Sequence, residues 1–227
     1  MDSRLAQLKG PQKVAPASGP AEDREEYSQL ILRPGSRSKK GDEVKKLVQG
    51  RQYVPLEEMN DGTQPGTFSV AVVVDRGGVQ QTKNGKKYVC LKLTNLEKYD
   101  RERVRKSFGA MSSESAKMQI NKLYNNNMYR VVSIMCFGDS AGPVHKSSVP
   151  GTVVALIGPK FFASKPGAET QKHTTFLVDN VSQLVPIGYS FDYNICCGQD
   201  SNPRNPHAKT PCYNFVNSSV EKMCDRH

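Results

Sequence analysis

The residue types best suited to chemistry in this 227-residue chain gather at its C-terminal end. From position 192 onward the texture turns to Asn, Pro, Gly and Cys with few apolar side chains. A stretch of that kind cannot bury enough surface to fold unaided, so a metal ion is a natural organiser. The ligand candidates are Cys196, Cys197, Cys212, Cys224, His207 and His227. Cys224-Asp-Arg-His227 puts a thiolate and an imidazole two residues apart, within reach of one ion from a single turn. Cys212 and one of Cys196 or Cys197 complete three sulfurs and one nitrogen, a tetrahedral set that suits Zn²⁺ in a structural role, since four protein ligands leave no open position for catalysis. His207, flanked by prolines and asparagines, reads as exposed. Cys90 and Cys136 lie inside strand patterns and read as buried core residues.

Enzyme chemistry finds no foothold in the same reading. The chain holds no Gly-rich phosphate loop, no HExxH and no paired acids on a recognisable element, and Asp139 after Phe-Gly reads as a turn residue. No apolar run reaches membrane-spanning length. The first residues, MDSRLAQLKGPQK, lack the apolar core of a secretory signal, which makes the six cysteines thiols or metal ligands rather than disulfides.

Charge is more telling by place than by total. The formal net charge is +10. Residues 67–191 carry 17 basic and 8 acidic side chains, whereas residues 1–66 carry 11 and 10, and residues 192–227 carry 4 of each. The surplus therefore belongs to the middle segment, and a folded basic domain points to a polyanion, most commonly nucleic acid.

That middle segment reads as strands. Phe68–Val74, Tyr88–Leu93, Tyr129–Phe137 and Thr152–Ile157 are β-branched or aromatic runs bounded by turn residues. A fifth strand covers Thr174–Val178 and Gln183–Ile187, bulged at Asp179-Asn180. With a short helical turn over 139–149, this is the element count of a five-stranded OB-fold barrel, although an SH3-like barrel or small sandwich has the same periodicity. A helical insertion, 97–128, separates the second and third strands. Upstream, residues 1–26 read as a disordered segment and 27–66 as an arm packing on the barrel. Within the arm, Asp42 caps a short helix with Val44, Leu47 and Val48 on one face. The domain boundaries that follow are 67–191 for the barrel and 192–227 for the zinc segment.

Several of these motifs together resemble the minichromosome maintenance protein ten family, a eukaryotic DNA replication initiation factor. They run in order: Phe68–Val74, Asn84-Gly-Lys-Lys-Tyr88, Cys136-Phe-Gly-Asp139, Gly151–Leu156, Val178-Asp-Asn180, and Cys212…Phe215-Val-Asn217…Cys224-x-x-His227. The resemblance implies an OB barrel and a Cys-Cys-Cys-His zinc motif that bind single-stranded DNA in the nucleus. It also implies contacts with DNA polymerase alpha, the sliding clamp and the replicative helicase. It assigns Cys196, Cys212, Cys224 and His227 as the zinc ligands, because eleven and then two residues separate the last three, as in the family. The first zinc loop, fifteen residues between Cys196 and Cys212, is longer than the family's usual one.

On an OB barrel, single strands are held by basic groups on phosphates and by aromatics on bases. The residues expected to bind DNA are Lys83, Lys86 and Lys87 between the first two strands, Tyr88 and Phe137 as stacking rings, and Lys160, Lys165 and Lys172 between the last two. Phe161 and Phe162 are further candidates. A protein-docking platform and an RNA-binding module are the rival functions this chemistry allows.

Overall fold

The two apolar runs TFSVAVVVDR and TVVALI alternate nothing: every residue from Thr67 to Val74 and from Thr152 to Ile157 is buried. A strand of this composition must be covered on both faces, and the computed structural model shows how. It describes residues 23–99, 129–162, 174–202 and 205–227. Among these, strands dominate: β1 Asp23–Arg24, β2 Ile31–Leu32, β3 Gln52–Tyr53, β4 Thr67–Arg76, β5 Gln80–Gln81, β6 Lys87–Thr94, β7 Val132–Phe137, β8 Thr152–Ile157, β9 Lys160–Phe161, β10 Thr174–Val178 and β11 Leu184–Tyr189. Four more, β12 Tyr193–Ile195, β13 Gln199–Asn202, β14 Asn205–Pro211 and β15 Phe215–Asn217, follow in the C-terminal segment. The helices are α1, Lys39–Val48, and α2, Ala141–Ser147.

The main sheet runs β11-β8-β4-β6-β7-β10-β9, with β3 on β4 and β5 on β6. All its long pairings are antiparallel except β7 with β10. The sequence reading of one bulged fifth strand needs correction. Asn180 caps a 3-10 turn, Val181–Gln183, with reciprocal bonds to Gln183, and this turn divides the stretch into two strands. Consecutive in the chain, β10 and β11 lie toward opposite ends of the path, on β7 and on β8 respectively.

Inside the sheet, Ala71, Val73, Leu91, Ile134, Leu156 and Phe176 form a cluster with Ala141 and Val144 of α2. The other face of β4 and β8 is covered by the arm. Leu30, Leu32, Val44 and Val48 pack there against Val70, Val72, Val153 and Val185. Backbone bonds fix the arm in place, Ser38 N–H donating to Ile187 O at 2.6 Å and Phe191 N–H to Ile31 O at 2.8 Å. Two details of the expected arm helix differ. It starts ahead of Asp42, which therefore lies within it rather than at its cap, and Leu47 is 42% exposed at the rim while Val44 and Val48 carry the contact.

The arm stops short of β6 and β7. There the pattern alternates, with Val89, Leu91 and Leu93 inward and Tyr88, Cys90 and Lys92 outward. Cys90 is thus half-buried on the outer face, correcting the expectation of a core residue, whereas Cys136 is fully buried. Burial pushes the Cys136 thiol up to about 12 and also raises Cys90.

Candidate metal centre and outer sheet face

The C-terminal segment folds around its sulfurs because it has little else to bury. Its own buried cluster is Cys196, Cys212, Val216 and Cys224. The antiparallel pair β12–β15 brings Cys196 beside Asn214, through Cys196 N–H to Asn214 O at 2.8 Å. The turn after β15 then returns Cys224, whose N–H donates to Cys196 Sγ at 3.2 Å. The ligand atoms of Cys196, Cys212, Cys224 and His227 all lie within 4.8 Å of one another, so the group can bind a metal ion. Cys212 Sγ and Cys224 Sγ are 3.8 Å apart, and His227 Nδ1 is 3.3 Å from Cys224 Sγ and 3.5 Å from Cys196 Sγ.

The choice left between the adjacent cysteines is settled by burial. Cys196 is 4% exposed and faces the cluster, whereas Cys197 is exposed and tied only through its backbone, to Lys222 O. The side chain of His207 lies outside the described residues.

Electrostatics favour the thiolate at Cys224. Burial raises the Cys224 thiol, but hydrogen bonds from Asn214 and the Arg226 backbone, with contacts to His227 and Cys196, outweigh it and hold the group down at about 6. The contact with Cys224 in turn raises the His227 imidazole. Cys212 is raised, chiefly by burial, and receives Arg226 Nη2 at 3.8 Å.

One contributor has no signal in a ligand count. A Cβ on Gly198 would sit 2.4 Å from His227 Cγ, so only glycine leaves room for the imidazole. Gly198→Ala is expected to displace the ring and lower metal affinity roughly tenfold or more, since ligand placement tolerates only about half an ångström. Competition against a chromophoric chelator measures it. Affinity equal to wild type would show that the ring has room elsewhere.

The segment is clamped to the sheet through Tyr129, which is fully buried. Its hydroxyl accepts from Asn217 N–H at 2.8 Å and donates to Glu221 Oε1 at 2.9 Å, and its ring lies 5.0 Å from that of Phe215. Lys98 Nζ sits 5.3 Å over the same ring and pairs with Glu221 at 2.5 Å and Asp225 at 3.2 Å. Burial pushes the Tyr129 hydroxyl well above the ordinary range. Phe215 and Asn217 entered the sequence reading only as part of the resemblance motif, and Tyr129 only as the start of a strand.

The residues expected to bind DNA fall into three groups. Lys83, Lys86 and Lys87 are exposed on the β5–β6 hairpin. Gly85, at φ 74°, closes its turn with Gly85 N–H to Thr82 O at 2.9 Å. These lysines have no ion pair among the described residues, and Lys86 Nζ lies 5.7 Å over the Phe137 ring. Tyr88 and Phe137 are direct cross-strand neighbours, ring centroids 5.8 Å apart and planes 31° apart, and the Tyr88 hydroxyl donates to Gln80. Lys160, on β9, is paired with Asp179 at 2.8 Å, so its charge is partly taken up. Lys165 and Lys172 lie outside the described residues, as does the 97–128 insertion from residue 100 onward. Phe161 is 37% exposed and stands edge-on to Phe176 at 5.8 Å, while Phe162 is half-buried.

No protein-family model matches the chain, and no curated protein matches it. No helix among the described residues is long and apolar enough to cross a membrane.

Proposed function

We propose that the chain is a non-enzymatic single-stranded-DNA-binding factor, an OB barrel followed by a structural zinc motif. The observation that carries the reading is the division of the outer sheet surface. The arm covers β4, β8 and β11, and the face of β5, β6 and β7 that the described residues leave uncovered bears Tyr88 and Phe137, with Lys86 over the Phe137 ring and Lys87 exposed at the hairpin edge. Exposed cations beside neighbouring, outward-facing rings are what sequence-tolerant binding of a single strand requires: phosphates on the lysines, bases on the rings. The barrel reading is supported by β10 and β11, which join the β7 end of the path to the β8 end through one short turn.

Zinc is the ion that suits the ligand set. Bonds of about 2.3 Å to sulfur and about 2.0 Å to nitrogen place tetrahedral ligand atoms about 3.5 to 3.8 Å apart. Three of the six spacings, 3.8, 3.5 and 3.3 Å, lie near that edge length, and all six are within 4.8 Å. Bound there, zinc would cross-link the ends of β12 and β14 to the C-terminal turn.

The resemblance to the minichromosome maintenance protein ten family extends this to replication initiation in the nucleus. The factor would link the replicative helicase to DNA polymerase alpha and meet the sliding clamp. Fluorescence anisotropy with a labelled oligothymidylate tests the core claim. We expect binding that weakens steeply with salt and is stronger for the single strand than for the duplex or for RNA. No binding in low salt, or a preference for RNA, would remove the proposal. A partner-derived peptide that binds yet leaves the oligonucleotide in place would restrict protein docking to another face.

A further inference from the structure

The loop between Cys196 and Cys212 forms the hairpin β13–β14, and one of its residues reaches the metal cluster. Asp200 directs one carboxylate oxygen to each of two neighbours. Oδ1 is 3.2 Å from His227 Nε2, and Oδ2 accepts from Arg226 Nη2. The His227 ring therefore has its two nitrogens assigned, Nδ1 facing the sulfurs of Cys196 and Cys224 and Nε2 facing Asp200. The His227 side chain is only 15% exposed and that of Asp200 35%, so the contact is partly sheltered from solvent.

We propose that Asp200 is a positioning residue of the metal centre. It accepts Nε2–H, which holds the imidazole in the tautomer that leaves Nδ1 free to ligate, and it anchors the hairpin to the site. A carboxylate behind a ligating imidazole also raises the ring's basicity, and loss of such a partner typically weakens metal binding about 10- to 100-fold. Arg226, held by the other oxygen, reaches Cys212 Sγ at 3.8 Å. One carboxylate thus touches the surroundings of two ligands. This inference rests on the zinc reading above.

The test is zinc affinity by chelator competition on the full chain, for wild type, Asp200→Ala, Asp200→Asn and Arg226→Ala, together with NMR of the His227 imidazole. We expect D200A to weaken zinc about 10- to 100-fold and to abolish the solvent-protected Nε2–H signal. D200N, which keeps an acceptor oxygen, should recover part of both. R226A should fall short of the D200A effect and keep the signal. Affinity of D200A within about threefold of wild type, an unchanged Nε2–H signal, or a full effect from R226A alone would each overturn the role for Asp200. Wild-type protein that takes up no zinc would instead sink the metal reading itself.

Discussion

Reversing two charges on the β5–β6 hairpin, Lys86→Glu with Lys87→Glu, is expected to weaken single-strand binding roughly tenfold to a hundredfold at moderate salt. More diagnostic is the salt dependence. Each phosphate contact on a single strand contributes about 0.7 to the slope of log affinity against log salt, so losing two should flatten it by about 1.4. Stability should hardly move. Both lysines are exposed and have no ion pair among the described residues, and surface changes of that kind stay within about 0.5 kcal/mol. Phe137→Leu provides the complementary result. It keeps much of the volume but removes the ring, so affinity should drop by about 1 to 3 kcal/mol per stacked base while the slope stays put. An unchanged slope in the lysine variant would place the groove on another face.

Which part of the sheet the arm leaves uncovered was written in the sequence more fully than the strand assignments used. The runs around Val70–Val74 and Val153–Ile157 are apolar at every position, which obliges cover on both faces, and the arm at 27–66 supplies it. Tyr88-Val-Cys-Leu-Lys-Leu93 alternates, which obliges cover on one face only. That contrast marks the face the arm leaves uncovered and also moves Cys90 outward. Its neighbour Cys136 stays inward because Val89, not Cys90, is its cross-strand partner.

The division of the last strand was half legible. Asp179-Asn180 signalled an irregularity, but the capping bonds between Asn180 and Gln183 that turn a bulge into a 3-10 turn depend on side-chain geometry. At the metal centre, residue types and spacing were enough to group the four ligands. They could not separate Cys196 from Cys197, because adjacent cysteines differ only in which way the backbone turns them. The supporting residues were invisible for a related reason. Gly198 matters through the space it leaves, and Asp200, Tyr129 and Glu221 through pairings across at least 26 positions of chain. Spacing motifs carry no information about either.

Removing the metal, or replacing Cys212 by Ser, should unfold the C-terminal segment and leave the main sheet standing. Apart from its three cysteines the segment buries only Val216 in its own cluster and Tyr193 and Phe215 against the sheet, too little without the ion to offset the entropy of ordering it. Structural zinc contributes about 10 to 16 kcal/mol in small motifs of this type, far more than such a segment can replace. The sheet's two apolar clusters contain none of the four ligands. Amide hydrogen exchange is therefore expected to lose protection across β12–β15 and keep it in β4, β6 and β8. The sheet will still register the loss at Tyr129. Its hydroxyl gives up Asn217 and Glu221 to water and its ring loses Phe215, and uncovering a large buried side chain costs about 1.5 to 3 kcal/mol. For a domain of this size that lowers the melting temperature by several degrees. The DNA result then separates two roles for the metal. The charge surplus lies in residues 67–191 and the C-terminal segment is neutral. Oligonucleotide affinity should accordingly survive metal removal within about tenfold, with the salt slope retained. Affinity that vanishes while the sheet amides stay protected would move the grip on the strand to the zinc segment.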